Sequence, residues 1–242
     1  MHQLILVAHH RPDQVRRVLS ELDATAGGFC YTVVNNAPDP AEMDAAIREF
    51  RTRRPLRVIR SESRHFTPSF NLALREAAPQ SKLVFYVCSV HAKVHDVNWM
   101  RSCARWMRGR RRVGLAGSVT RSAGYGNRFD RSNLAFYKRQ GRRFDYLEHV
   151  NRRWWSGLTP REKYRLPHVQ GGVWVIRSSM VEHIGLPSEN FFFSFVDVEY
   201  SFRAMSYGWE LGDIPGVWAD QERFEVPTPP RALISHAKRN AG

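Results

Sequence analysis

Along the first ninety positions, short unbroken apolar runs trade places with apolar residues at helical spacing. This predicts strands and helices in alternation. The run LILVA (4–8) reads as a buried strand. Pro12 stands at a first helical position. Val15, Val18, Leu19 and Leu22 follow at i, i+3, i+4 and i+7, with Gly27 as the expected stop. YTVV (31–34) is a second strand. Asp39, Pro40 and Glu42 form a capping box for a helix bearing Met43, Ile47 and Phe50. LRVI (56–59) is a third strand, and Thr67 and Pro68 open a helix whose inner face carries Phe70 or Asn71, Leu74 and Ala77. LVFYVC (83–88) is a fourth strand, apolar enough for burial on both faces. A helix over about 97–107 leads through the basic run RGRRR (108–112) to the strand VGLAGSV (113–119), and WELGDI (209–214) reads as one more strand.

Strands alternating with helices specify an α/β fold with a mostly parallel, Rossmann-like central sheet flanked by helices. Ligands of such sheets bind beyond the carboxyl ends of the strands. The positions of interest are therefore His9 and His10, Asn35 and Asn36, and Ser89 to His91, each directly following a predicted strand.

Composition narrows the class. The chain of 242 residues is 43% hydrophobic, enough for a substantial core and too much for a disordered polymer. No apolar run approaches the roughly 18 residues of a membrane span. The start, MHQLILVAHHRP, lacks the charged lead of a signal peptide and reads as a strand. Cys30, Cys88 and Cys103 are odd in number and without metal-like spacing, which suits reduced thiols in the cytoplasm. The net charge of +14 favours nucleotides, nucleic acids, acidic polymers or an anionic membrane surface. Residues 121–165 carry twelve Lys/Arg against four Asp/Glu, many aromatics and little periodicity. They read as a basic insertion or mobile flap, suited to an acidic glycan with Trp154 and Trp155 stacking on sugars, or to anionic lipid. The chain is read as one domain, 1–242, with halves at 1–119 and 120–226 and a basic tail, 227–242. No helix-turn-helix, zinc or RNP-like signature supports the nucleic-acid alternative.

The densest chemistry lies between Gly171 and Gly208. Gly171-Gly172 opens an apolar strand, a short helix stops at Gly185, and the aromatic run Phe191 to Phe195 leads to Asp197 and Glu199 on the first turn of an amphipathic helix. An acid at a helix N-terminus beside apolar walls suits a general base. Glu199 is placed to pair with Arg203 at i+4.

These segments resemble a GT-A inverting glycosyltransferase of the family-2 type over most of the chain. The carriers are Val33-Val34-Asn35-Asn36, the helix segment Phe70-Asn71-Leu72-Ala73, Ser89-Val90-His91, Gly171-Gly172 and Phe193-Ser194-Phe195-Val196-Asp197-Val198-Glu199. The resemblance implies transfer of a sugar from a nucleotide-sugar donor to a glycan or lipid-linked acceptor, with inversion, in surface polysaccharide assembly. It implies Asp197 as catalytic base, and donor contacts from Ala8, His9, His10, Asn35, Asn36, Asn71, Ser89, His91, Gly171 and Gly172. It implies a divalent metal, Mn²⁺ or Mg²⁺, at His91, with His236 closing over it, in a protein of the cytoplasm or the inner membrane face. Two acids of the family pattern are replaced here, by Ser89 and Val196. A serine hydroxyl is a weak ligand for a hard cation. Three readings therefore stand: a metal held by fewer ligands, a diphosphate neutralised by Lys93 and arginines, or a nucleotide- or glycan-binding protein without transfer.

Overall fold

The computed structural model describes residues 1–9, 11–88, 92–94, 96–121, 157, 159, 167–191, 196–214 and 219–221. Seven strands form the main sheet: β1 (His2–Ala8), β2 (Phe29–Asn35), β3 (Leu56–Arg60), β4 (Leu83–Cys88), β6 (Val113–Arg121), β7 (Pro167–Arg177) and β8 (Glu210–Asp213), in the order β3-β2-β1-β4-β7-β6-β8. A small antiparallel pair joins β5 (Ala92–Val94) to β9 (Ala219–Gln221). β1 runs parallel to β2 and β4, β2 to β3, and β6 to β8, whereas β7 is antiparallel to both neighbours. Six strands thus point one way around a single reversed one, which bears out the mostly parallel sheet.

Alternation along the strands builds two layers of core. Ile5 and Val7, Val84 and Tyr86, and Trp174 and Ile176 face one side. There they meet helices α3 (Phe66–Ala77), α5 (Ser178–Ile184) and α6 (Val196–Ser206). Leu4, Leu6, Leu83, Phe85, Val87 and Val175 face the other, against α1 (Pro12–Asp23), α2 (Pro40–Glu49) and α4 (Trp99–Arg108). β4 is buried on both faces, as its unbroken apolar run demands. No helix among the described residues is long and apolar enough to cross a membrane.

Several element ends differ from expectation. α1 stops at Asp23 with Ala24 as its cap, and Gly27, at φ 125°, serves the turn beyond. α3 starts at Phe66 and α4 at Trp99. Asp39 caps α2 as expected, its Oδ1 accepting from the N–H groups of Ala41 and Glu42 at 3.0 and 3.1 Å. The larger correction concerns Gly171-Gly172. The pair does not open a strand but lies inside the eleven-residue β7. Gly117 pairs with Trp174 and Val119 with Val169, so residues 170–173 bulge opposite Ser118 alone. The bulge presses against β6: a Cβ on Gly117 would stand 2.3 Å from the Val173 carbonyl oxygen, so only glycine fits there.

Candidate functional site

The carboxyl ends of β1, β2 and β4 share one rim with the entry end of β7, because β7 runs in reverse. β1 ends at Ala8, whose side chain is fully buried and whose carbonyl accepts from the Asn36 N–H at 3.1 Å. Arg11 then adopts φ 60°, a left-handed turn rare for a non-glycine residue, before α1 begins. His9 lies across the end of β2, with Nδ1 2.9 Å from the Asn36 carbonyl. A carbonyl can only accept, so the His9 proton is on Nδ1.

The two asparagines differ in kind. Asn35 is closed by its own loop: Oδ1 accepts from the Ala37 N–H at 3.1 Å, and Nδ2 donates to the Pro40 carbonyl and to Asp44 Oδ1 at 2.9 and 2.6 Å. Asn36 is also buried, and its Nδ2 donates to the His65 carbonyl at 3.3 Å. Its Oδ1, however, has no hydrogen-bond partner among the described residues. A buried acceptor left without a partner is costly, and Asn71 Oδ1 is unpaired in the same way away from the rim. Asn71 stands apart: its amide donates to the Pro187 carbonyl and Glu189 Oε1 at 2.9 and 3.0 Å, tying α3 to the loop after α5.

Asp197 sits in the first turn of α6, partly exposed. Its Oδ2 lies 3.6 Å from where a Gly171 Cβ would stand, and the Gly171 N–H hydrogen-bonds to its carboxylate. Oδ1 accepts from the Val198 N–H at 2.9 Å. The bulge in β7 therefore brings bare backbone up to the acid. Burial pushes the Asp197 carboxyl above the usual carboxylate range, while the charge of His168 and the surrounding N–H groups pull it back. His168, buried in β7 opposite Thr120, is a site residue that strand and motif reading missed. The signal lay in PHVQGG, where a histidine precedes the glycine pair on what proves to be the same strand.

Below the acid, Phe66, Phe70, Tyr86 and Trp174 form an aromatic floor with ring centroids 5.1–5.6 Å apart. Burial raises the Tyr86 phenol well above its ordinary range, with Cys88 and the Asp197 charge adding to the shift. Glu199 forms the expected pair with Arg203, at 3.0 Å and almost wholly buried. Its other oxygen accepts from the Ser188 N–H at 3.2 Å, and the guanidinium donates to the Ile184 and Leu186 carbonyls. This pair faces the loop after α5 and holds it to α6.

The structure thus brings Asp197, Gly171 and His168 together, and separately His9 with Asn36. Gly172 is buried beside Gly171. His10, Ser89, His91 and His236 lie outside the described residues, as do Trp154 and Trp155. Among the described residues, no group of three or more His, Cys, Asp or Glu stands close enough to hold a metal ion.

No protein-family description matches this sequence, and no curated protein does. Solved structures do. GalNAc-T7, solved with UDP, GalNAc and Mn²⁺, superposes with a TM-score of 0.62 at 14% identity, over 93% of this chain and 44% of its own. Glucosyl-3-phosphoglycerate synthase from Mycobacterium tuberculosis, solved with Mn²⁺, UDP and glucosyl-3-phosphoglycerate, superposes with a TM-score of 0.51 at 12% identity, over 100% of this chain and 77% of its own. The same synthase with Mg²⁺ and UDP gives 0.52 at 11% identity. The chain spans less than half the length of GalNAc-T7. At these identities the likeness defines the architecture: this is the GT-A fold of glycosyltransferases.

Proposed function

We propose that this protein is an inverting glycosyltransferase. It moves a sugar from a nucleotide-sugar donor to a glycan or lipid-linked acceptor, in the assembly of a surface polysaccharide. The observation that carries the reading is Asp197, desolvated at the head of α6 and aimed at the glycine bulge of β7 in a GT-A fold. In the reaction an acceptor hydroxyl gives its proton to Asp197 as its oxygen bonds to the anomeric carbon. The bond from that carbon to the diphosphate oxygen breaks, and the nucleoside diphosphate leaves with the electron pair. The raised carboxyl makes Asp197 a stronger base than an exposed aspartate. Gly171 leaves room for a sugar ring to approach the acid. On the donor side, the orphan Asn36 Oδ1 suits the imide N–H of a pyrimidine base, with His9 against the adjoining backbone.

The residues assigned to a metal, His91 and His236, lie outside the described residues, and among the described ones no such cluster forms. The relatives named above were solved with Mn²⁺ or Mg²⁺ and UDP, which makes both ions arms of the test. A second reading, nucleotide binding without transfer, is favoured by Val196. This residue stands where the family pattern has an acid and is packed into the core.

Thermal unfolding with UDP, GDP, dTDP or CMP, without metal and with Mn²⁺ or Mg²⁺, separates the readings. One nucleotide at about 100-fold its Kd is expected to raise Tm by about 5–10 °C. Release of nucleoside diphosphate from the matching sugar donor then marks transfer, and stabilisation without release marks the binder. Absence of any nucleotide shift would sink both.

His168 is a positioning residue in this scheme. Its charge lowers the Asp197 pKa, so His168→Gln is expected to raise it further. The base works ionised and rate is lost as pH falls through its pKa, so the acid limb of the kcat/KM profile should move to higher pH. An unmoved limb would show that His168 does not act on Asp197.

A further inference from the structure

The end of the sheet opposite Asp197 carries a feature that sugar transfer does not use. α4 crosses the sheet near the amino ends of its strands. At its start, Trp99 Nε1 donates to Thr25 Oγ1 at 3.1 Å, and the Ala26 N–H to the Val97 carbonyl at 2.6 Å, both in the turn before β2. At its end, the Arg177 guanidinium donates to the Met107, Arg110 and Val113 carbonyls at 2.8–3.0 Å, where β6 begins. Trp99, Met100, Cys103 and Met107 are buried against the core. The outward face is arginine: Arg101, Arg105 and Arg108, at i, i+4 and i+7, are all exposed. No acid stands in the first turn, and no carboxylate among the described residues pairs with any of the three. Arg110 and Arg111 extend the face beyond the helix, and both are exposed.

The face continues on the other side of Gly27. The Arg101 side chain passes 3.7 Å from where a Gly27 Cβ would stand, and Arg54 donates to the Gly27 carbonyl. Arg54 belongs to an open cleft of about 700 Å³, whose flanking Arg51 and Arg53 are exposed. Asp23 lines the same cleft and pairs with Arg54 at 3.4 Å, whereas the three helix arginines have no such carboxylate among the described residues, and like charges so gathered favour an extended anionic partner.

We propose that this arginine face docks the protein on an anionic phospholipid bilayer. A helix that buries its apolar side in the protein and lays a row of arginines outward suits a flat charged surface. Val97, 52% exposed at the head of the row, adds an apolar contact. Single-stranded nucleic acid would need open aromatic faces on which bases stack. The aromatic here, Trp106, has one face covered by Arg110 at 4.3 Å and its edge packed on Gly212. A protein partner would need an exposed aromatic anchor at the centre of the patch, and among the described residues none of the exposed large hydrophobics supplies one.

The test is co-sedimentation of the full chain with vesicles of phosphatidylcholine alone, or with about a third phosphatidylglycerol. Binding is expected to the anionic vesicles only, with release at about 0.5 M salt. The triple variant Arg101→Gln/Arg105→Gln/Arg108→Gln should bind about 100-fold more weakly, and the corresponding glutamate variant more weakly still. Both should keep the wild-type circular dichroism and Tm, because these side chains are solvent-exposed. The double variant Arg142→Glu/Arg143→Glu, in the other basic segment, should retain most of the binding. Equal binding to both vesicle types would overturn the proposal. So would wild-type binding by the glutamate variant, loss confined to Arg142→Glu/Arg143→Glu, or displacement from vesicles by a short oligonucleotide.

Discussion

Asp197→Asn is expected to lower the rate of sugar transfer by about 10²–10⁴-fold, the usual contribution of a positioned general base. Asparagine keeps the shape, but its single amide oxygen can accept from only one of the Val198 and Gly171 N–H groups, and it cannot take the acceptor's proton. Nucleotide-induced stabilisation should be unchanged, because the donor base is assigned to the opposite part of the rim. Stability should hold or rise. The folded pKa of Asp197 is raised above its unfolded value. The stability this residue contributes is therefore full below the unfolded pKa and is lost as pH rises through the folded one. At neutral pH its ionised form opposes folding, and asparagine removes that opposition. The measurement is initial rate against Tm on the same preparations. Wild-type turnover in Asp197→Asn would end the assignment, and a collapsed Tm would show that the carboxylate is structural.

Glu199→Ala is expected to act on stability in the opposite way. Glu199 and Arg203 have 0% and 6% side-chain exposure, so alanine leaves a guanidinium buried without its counter-charge. Breaking such a pair costs about 3–5 kcal/mol, or about 10 °C in Tm for a chain of this size. The damage should spread to the loop after α5, since Ser188 loses its acceptor and Arg203 also holds the Ile184 and Leu186 carbonyls. The charged atoms lie 3.0 Å apart without the alignment of a hydrogen bond, so attraction rather than geometry holds them. Arg203→Met should be milder, because an unpaired carboxyl can take up a proton. The double variant Glu199→Gln/Arg203→Met should lose less than the two single losses combined. A wild-type Tm for Glu199→Ala would mean that the pair is not buried in solution.

The parts legible in the sequence are those that local pattern decides. β1, β2 and β4 are apolar runs that nothing but a buried strand explains, and Asp39-Pro40 announces its helix by capping chemistry. The i,i+4 pairing of Glu199 with Arg203 follows from helical geometry once the helix is recognised. β7 is different. Its length, its reversed direction and its bulge arise from pairing with Val87 on one side and Gly117 on the other, and no local periodicity records partners so distant. Gly171-Gly172 therefore reads as a strand opening although it is the bulge, and His168 escapes notice because the strand begins before it. Asn35 and Asn36 look alike as neighbours in sequence. Only the loop that closes on Asn35 separates a tied amide from one with an orphan oxygen.

The pairing of Arg121 with Pro167 has an engineering reading. The chain leaves β6 and re-enters β7 at one register point, beside His168 and within a few residues of the bulge. The two ends of the span 122–166 are thus held side by side by the sheet itself. Loop-closure entropy grows slowly, by about 0.6 kcal/mol for each doubling of length. A change in the length of that span is therefore expected to add little closure cost at this register point. Asp197, His168 and Gly171 all follow that register point in the chain and are held by β7 and α6, outside the span.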